Sequence, residues 1–275
     1  MEFGVLIGTE EFEFQHVADL GIHTIQAFIR CKDDELTEEH ANHIRKCCEK
    51  YDIRISAAWC RWPGDCSWSI YEGQLTAGFV PIATRNERIQ AFKKGADFCK
   101  KLGITDVITH AGFLPENPMT SEYNSIVTDL RFLANYLKNN GQYFLFETGQ
   151  ETPLTLRRTI EDIGTGNLGI NLDPANLLKL GKGNPVDAVD IFGKYVRNMH
   201  LKDGALPVDG VGRKNGPEFP VGKGSVDFRG VLSKLKNDHG YNGVLTFERE
   251  IEDWDQKKKD IAAGREHIQN IWDTI

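Results

Sequence analysis

Along the whole chain, short runs of apolar and β-branched residues alternate with longer stretches whose apolar positions recur every three or four residues. The short runs predict eight strands, over residues 3–7, 23–27, 54–59, 106–110, 143–147, 168–173, 196–202 and 243–248. The stretches between them predict helices. Ile126, Leu130, Leu133, Ala134 and Leu137 fall on one helical face, as do Ile89, Phe92, Ala96, Cys99 and Leu102. Boundary signals agree with this division. Thr84 and Glu87 have capping-box spacing, and Thr152–Pro153 places a cap before a proline in the first turn. Gly103, Gly141 and Gly164 stand where helices should stop.

Strands that alternate with crossover helices pair in parallel. Eight such units in 275 residues predict a closed α/β barrel, a (β/α)8 TIM barrel, as a single domain over residues 1–275. An open doubly wound sheet usually carries a glycine-rich turn after its first strand. Here that turn reads Gly8-Thr9-Glu10-Glu11, and no GxGxxG follows. Two connections are long: residues 61–81, with Trp62, Trp68, Tyr71 and Phe79, and residues 203–226, with six glycines. Both follow strand C-terminal ends, the side where barrel enzymes build their sites. The charge cluster at residues 255–260 is expected to be the solvated start of the last helix.

Composition narrows the classes. With 40% hydrophobic and 27% charged residues, the chain is neither a disordered tail nor a membrane protein, and no apolar run is long enough to span a bilayer. The first residues, MEFGVLIGTEEF, do not read as a secretion signal. The six cysteines form no CxxC pair and no zinc-ribbon spacing, so reduced thiols in a cytoplasmic protein are expected. A net charge of −7 without a basic patch argues against a nucleic-acid partner.

The chemistry shows at the strand ends. Four successive strands end in ionisable groups: Glu147 in YFLFETG, Asp173 in LGINLDPAN, His200 in VRNMHLKDG and Glu248 in VLTFERE. The separations, 26, 27 and 48 residues, are one β/α unit, one unit, and one unit plus the glycine-rich connection. In a barrel all four reach the same mouth. One acid at a strand end is commonly a helix cap, and one histidine is as often a core residue. Three converging carboxylates repel each other and call for a compensating cation. Two glutamates, an aspartate and an imidazole suit Mn²⁺ best, with Mg²⁺, Co²⁺ or Zn²⁺ compatible. Such an ion leaves room for a carbonyl and a neighbouring hydroxyl, and lowers the pKa of the adjacent C–H. Glu147 and Glu248, three strands apart, then approach a substrate from nearly opposite sides, as an acid/base pair would.

The order Glu147, Asp173, His200, Glu248 on strands five to eight resembles the xylose isomerase-like barrel superfamily. FETGQETP, NLDPAN, HLKD and PVGKGSVDF are similar to that family's stretches, and the resemblance runs over nearly the whole chain. It implies one metal on these four residues, with Glu147 and Glu248 as the catalytic pair. The function it implies is isomerisation or epimerisation of a sugar or sugar derivative. A lyase or dehydratase acting on a keto-sugar or inosose is the alternative on the same metal site. The family's ketose 3-epimerases place a substrate-contacting histidine at the position of Asn176 and an arginine at the position of Leu206. Asn176 thus stands as the substrate-contact candidate.

Lys202, two residues after His200, shares its inward face and could neutralise an oxyanion. His110, at the end of the fourth strand, is placed to meet a sugar hydroxyl or extend the metal site. Trp59, with Trp62 and Trp68, could wall a sugar ring or form a packed cluster. His16, His40, His43, His239 and His267 fall in helical patterns and read as surface residues. Gly222 and Gly224 allow either a ligand's approach or a tight turn. The abasic-site endonucleases of the superfamily would need a histidine at 176 and an Asp-x-His pair, where Asn176 and Asp227-Phe228-Arg229 stand. A non-catalytic sugar-binding barrel would not need both glutamates. The expected partner is a small-molecule carbohydrate, with no nucleic acid and no membrane, and with assembly into a homo-oligomer left open.

Overall fold

A computed structural model describes residues 1–210, 212 and 214–275; Val211 and Arg213, in the second long connection, lie outside the described residues. Eight parallel strands close into a barrel: β1 (Glu2–Ile7), β2 (Thr24–Arg30), β3 (Arg54–Arg61), β4 (Asp106–Thr109), β5 (Tyr143–Glu147), β6 (Leu168–Leu172), β7 (Val196–Leu201) and β8 (Val244–Phe247). β1 pairs with both β2 and β8 and so completes the ring. A two-stranded antiparallel pair, Asp203–Gly204 with Glu218–Phe219, folds the long connection after β7 back on itself. Among the described residues no helix is long and apolar enough to cross a membrane.

All eight predicted strands form, with shifted ends. β2 and β3 run on to Arg30 and Arg61 because Phe28, Ile29 and Arg30 continue to pair with Trp59, Cys60 and Arg61. β4, β6, β7 and β8 stop one residue earlier than predicted. His110, Asp173, Lys202 and Glu248 therefore stand just past the ladder, where the backbone leaves the barrel.

The helix predicted around Thr84 begins earlier, at Ile82, with Pro81 in the cap position. The Thr84 hydroxyl is buried without a hydrogen-bond partner, so no capping box forms. Arg85 organises this entry instead, donating to the carbonyls of Phe79 and Val80 at 2.7 and 2.6 Å. Thr152 caps the helix Pro153–Ile163 as its sequence suggests. The last helix, Trp254–Trp272, starts on Asp253. Its charge cluster is solvated only in part: Lys257 lies over the Trp254 ring at 4.6 Å, Lys258 reaches Asp19 at 3.7 Å and Asp260 pairs with Arg249 at 2.8 Å.

Alternation along each strand separates two apolar layers. The larger lies between strands and helices and takes Phe144 and Phe146 of β5. The smaller, inside the barrel, is Ala57, Trp59, Ile108 and Leu145. Below it, Asp106 accepts from Asn198 at 3.0 Å and pairs with Arg197, closing the floor.

The connection after β3 is fixed to the end of β4. Buried Arg88 gathers the carbonyls of Thr76 and Gly78, both at 2.7 Å, together with those of Pro63 and Asp65. Gly78 (φ +71°) crosses so closely that a Cβ there would sit 2.1 Å from the Ala111 carbonyl oxygen. Gly78→Ala is accordingly expected to cost about 2 kcal/mol or more. A denaturant titration checks this: the midpoint should fall at an unchanged slope.

Candidate metal centre and cavity

Each of the four predicted ligands arrives with its side chain already anchored. The Glu147 carboxylate, on β5, accepts from Trp59 Nε1 through one oxygen and from Asn176 Nδ2 at 3.3 Å through the other. Asp173 divides its oxygens. Oδ1 caps the helix Pro174–Lys179 by accepting from Asn176 N at 2.9 Å, while Oδ2 meets no hydrogen-bond donor. Thr148 ties the two strand ends together, donating to the Asp173 carbonyl and accepting from its N–H, both at 2.8 Å.

His200 Nε2 donates to Gln26 Oε1 at 2.8 Å, and Gln26 in turn donates to Asn171 Oδ1 at 3.2 Å. That chain fixes the ring so that Nδ1 faces the carboxylates. Nδ1 lies 2.7 Å from Glu248 Oε2 and 3.3 Å from Glu147 Oε1. Close as the first approach is, it lacks hydrogen-bond alignment: His200 Nδ1, Glu248 Oε2 and Asp173 Oδ2 are all buried without a hydrogen-bond partner.

One ligand atom from each of Glu147, Asp173, His200 and Glu248 lies within 4.8 Å of the other three. Among the described residues this is the one such grouping of histidine, cysteine and carboxylate side chains. Buried donor atoms that face one another without bonding fit a cation at their centre. An octahedral ion with bonds of roughly 2.1 Å spaces opposite ligands roughly 4.2 Å apart, close to this spread.

Two positive groups stand among the carboxylates. Lys202 points inward, as its register with His200 predicts, with Nζ 2.9 Å from Glu248, 2.7 Å from Glu250 and 3.7 Å from Asp173. Burial pulls its pKa down, but Glu248, Asp173 and Glu250 outweigh that and hold it well above the usual lysine range. Burial pushes Glu248 up, yet Lys202 and His200 hold it well below the usual carboxylate range. Asp173 goes the other way: its burial is complete and Lys202 is farther off, so it is raised. Burial likewise lowers His200, while the charges of Glu147 and Glu248 lift it well above the usual imidazole range.

Above these residues opens a cavity of about 360 Å³, the size of a small-molecule site. Trp59 stacks on Phe28 at 5.2 Å, and Trp68 packs 5.0 Å from His110, so these rings wall one side. Trp62 does not join the wall. It is buried, 1% exposed, in the core behind. His110 Nδ1 donates to the Glu147 carbonyl at 3.2 Å, which leaves Nε2 facing the cavity, 3.6 Å from Glu147 Oε1.

Several residues were not singled out in the sequence. Gln26, 0% exposed, announces itself as a polar residue inside the apolar run TIQAFIR. Glu250 shares the face of Glu248 two residues earlier, and Arg249 between them turns outward to Glu218 and Asp260 at 2.6 and 2.8 Å.

Other expectations resolve to structural roles. The amides of Gly222 and Gly224 both donate to Asp203 at 2.9 Å, so this turn serves the fold. Asp227 caps the helix Phe228–His239 and Arg229 bonds Thr274, so that stretch holds no second metal group. His40 and His43 are half-buried and bond Thr9 rather than lying free on the surface, and His16 stacks on Trp254.

The fold and this site define a xylose isomerase-like barrel. The chain belongs to the xylose isomerase-like TIM barrel family, whose model matches residues 14–271. It is similar to a xylose isomerase domain protein from Planctomyces limnophilus, with 33% identity over 99% of this chain and 98% of that one, and a TM-score of 0.91. A D-tagatose 3-epimerase-like protein shares the fold at 20% identity, covering 98% and 99% of the two chains, with a TM-score of 0.72. A xylose isomerase-like TIM barrel protein from Mycobacterium smegmatis, solved in complex with magnesium, shares it at 17% identity, 95% and 87% coverage and a TM-score of 0.69. No curated protein matches the chain.

Three predictions follow from this arrangement. Because the carboxylates favour a proton on His200, a cation must displace it. Manganese affinity should therefore rise with pH, and calorimetry in buffers of different ionisation enthalpy should detect proton release. Gln26→Leu, which strips Nε2 of its acceptor, should weaken manganese binding roughly 10–100-fold.

The third concerns Glu151. Both its carboxylate oxygens are buried without a hydrogen-bond partner, and burial lifts its pKa from 4.5 to about 8. The folded state then holds a proton that the unfolded chain releases. Glu151's effect on stability turns unfavourable as pH rises from about 4.5 and levels off above about 8. Glu151→Gln should raise the melting temperature more at pH 9 than at pH 5.

Proposed function

We propose that this protein is a divalent-metal-dependent isomerase or epimerase of a sugar or sugar derivative. In this reading it works by removing a proton from the carbon next to a carbonyl. The observation that carries it is the convergence of Glu147, Asp173, His200 and Glu248, three of them with an unpartnered buried donor atom, at the floor of a cavity with an aromatic wall. The metal, manganese by the joining of one imidazole to three carboxylates, would be held by these four residues and supply Lewis acidity to the carbonyl.

The remaining work falls to the chain's own groups. Glu248, kept ionised by the Lys202 ammonium 2.9 Å away, is the base that removes the proton. Glu147, on a strand three positions round the ring, supplies a proton to the opposite face or to the neighbouring carbon. The Lys202 ammonium offsets negative charge that develops on the substrate oxygens. His110 Nε2 and Asn176 are in reach of hydroxyls, and Trp59 with Trp68 covers an apolar sugar face while excluding water.

The test is incubation of the manganese-loaded protein with ketoses and 3-keto sugars in D2O, followed by NMR. Deuterium should enter the carbon next to the carbonyl of a recovered isomer. Loss of water with a new conjugated carbonyl would instead place the protein among the dehydratases, and absence of any exchange would overturn the reading. Glu147→Gln and Glu248→Gln should each lower turnover roughly 10²–10⁴-fold.

A further inference from the structure

We propose that the cavity takes a sugar acid and that Arg61 receives its carboxylate. This rests on the cavity being a site for a sugar derivative and narrows the substrate class. Arg61 is the last residue of β3 and lines the same cavity as Glu147 and Glu248. It follows Trp59 by two residues, so it shares that side chain's face and stands roughly 6–7 Å farther toward the mouth.

The guanidinium lies 4.0 Å from the Trp62 ring centre and 5.4 Å from that of Trp68. Its one protein acceptor among the described residues is the Trp62 carbonyl, 3.1 Å from Nη1. Among the described residues no carboxylate pairs with it. The other cations on the cavity wall are matched: Lys202 by Glu248 and Glu250, Lys179 by Glu250 at 3.7 Å.

Nor does a neighbour supply the missing charge. Arg88, also 4.0 Å from the Trp62 ring centre, is bonded to carbonyls alone. Two guanidinium groups thus share one indole, and among the described residues neither forms an ion pair with a carboxylate. A half-buried cation without a counter-ion is costly, and an incoming anion relieves that cost.

The donors present favour a carboxylate over a phosphate. A guanidinium fork offers two parallel N–H groups to two coplanar oxygens. A phosphate usually gathers several backbone amides from a glycine-rich turn or a helix start. The glycine-rich turn of this barrel already commits the amides of Gly222, Gly224 and Val226 to Asp203. The acid would therefore sit at the mouth end of the substrate, with the reacting carbons at the floor.

The test is quenching of tryptophan fluorescence, for which Trp59 and Trp68 are placed, in the full-length protein. The probes are hexuronates, their matching neutral hexoses and the hexose 6-phosphates. The uronates should bind roughly 10–100-fold tighter than the neutral sugars, by an amount that shrinks with added salt. Arg61→Met should remove that preference and Arg61→Lys should keep part of it, both with unchanged manganese affinity as the check on folding.

Equal binding of acid and neutral sugars, or a preference that survives Arg61→Met, overturns the proposal, and tighter binding of the phosphates overturns the choice of carboxylate. The two readings fail separately. A uronate preference lost in Arg61→Met, without deuterium exchange on any sugar, supports this subsite and removes the isomerase reading. Exchange without uronate preference does the reverse.

Discussion

The structure is organised around one electrostatic problem: three carboxylates brought within a few ångströms of each other at the end of a barrel, Glu147 and Asp173 buried and Glu248 14% exposed to the cavity. Their mutual repulsion must be offset where they stand. Lys202 and a protonated His200 provide part of that offset. An unbalanced buried charge costs several kcal/mol, about 3–5 when one partner of a pair is removed. That scale accounts for how many neighbours serve only to hold these groups. Gln26 orients the imidazole, Thr148 joins β5 to β6, and a helix N-terminus takes one oxygen of Asp173. In our reading a dication at the centre takes the place of the His200 proton and gives the arrangement a chemical use.

The barrel makes such a gathering cheap. Strands with period-two alternation send every second residue inward, and the ring places the ends of β5 to β8 side by side. The inner apolar layer is thin, four residues, so polar side chains begin directly above it. The helices stay outside, covering the outward faces. Chemistry at the mouth is thus separated from stability in the wall, apart from residues such as Arg88 that pin the loops.

Much of this is legible in the sequence because periodicity reports it directly. Eight apolar runs separated by amphipathic helices give the barrel, and four ionisable residues at successive strand ends mark the site. The inward turn of Lys202 follows from its spacing to His200. What escapes is what depends on partners far along the chain. Gln26 matters only because β2 faces β7 across the barrel, a separation of 174 residues. Thr84 has the right spacing for a cap but loses to Pro81 and Arg85, since cap spacing carries no information about tertiary donors. The glycines of residues 222–224 look available to a ligand until the Asp203 carboxylate is seen beneath them.

The central claim is that one cation sits among Glu147, Asp173, His200 and Glu248. Diffraction from crystals soaked in a manganese salt, with the anomalous signal of that metal, addresses it most directly. The account predicts a single strong peak roughly 2.0–2.3 Å from one oxygen of each carboxylate and from His200 Nδ1, with Nε2 still bonded to Gln26. A peak lodged elsewhere, or no peak while Nδ1 still faces Glu248, would contradict it.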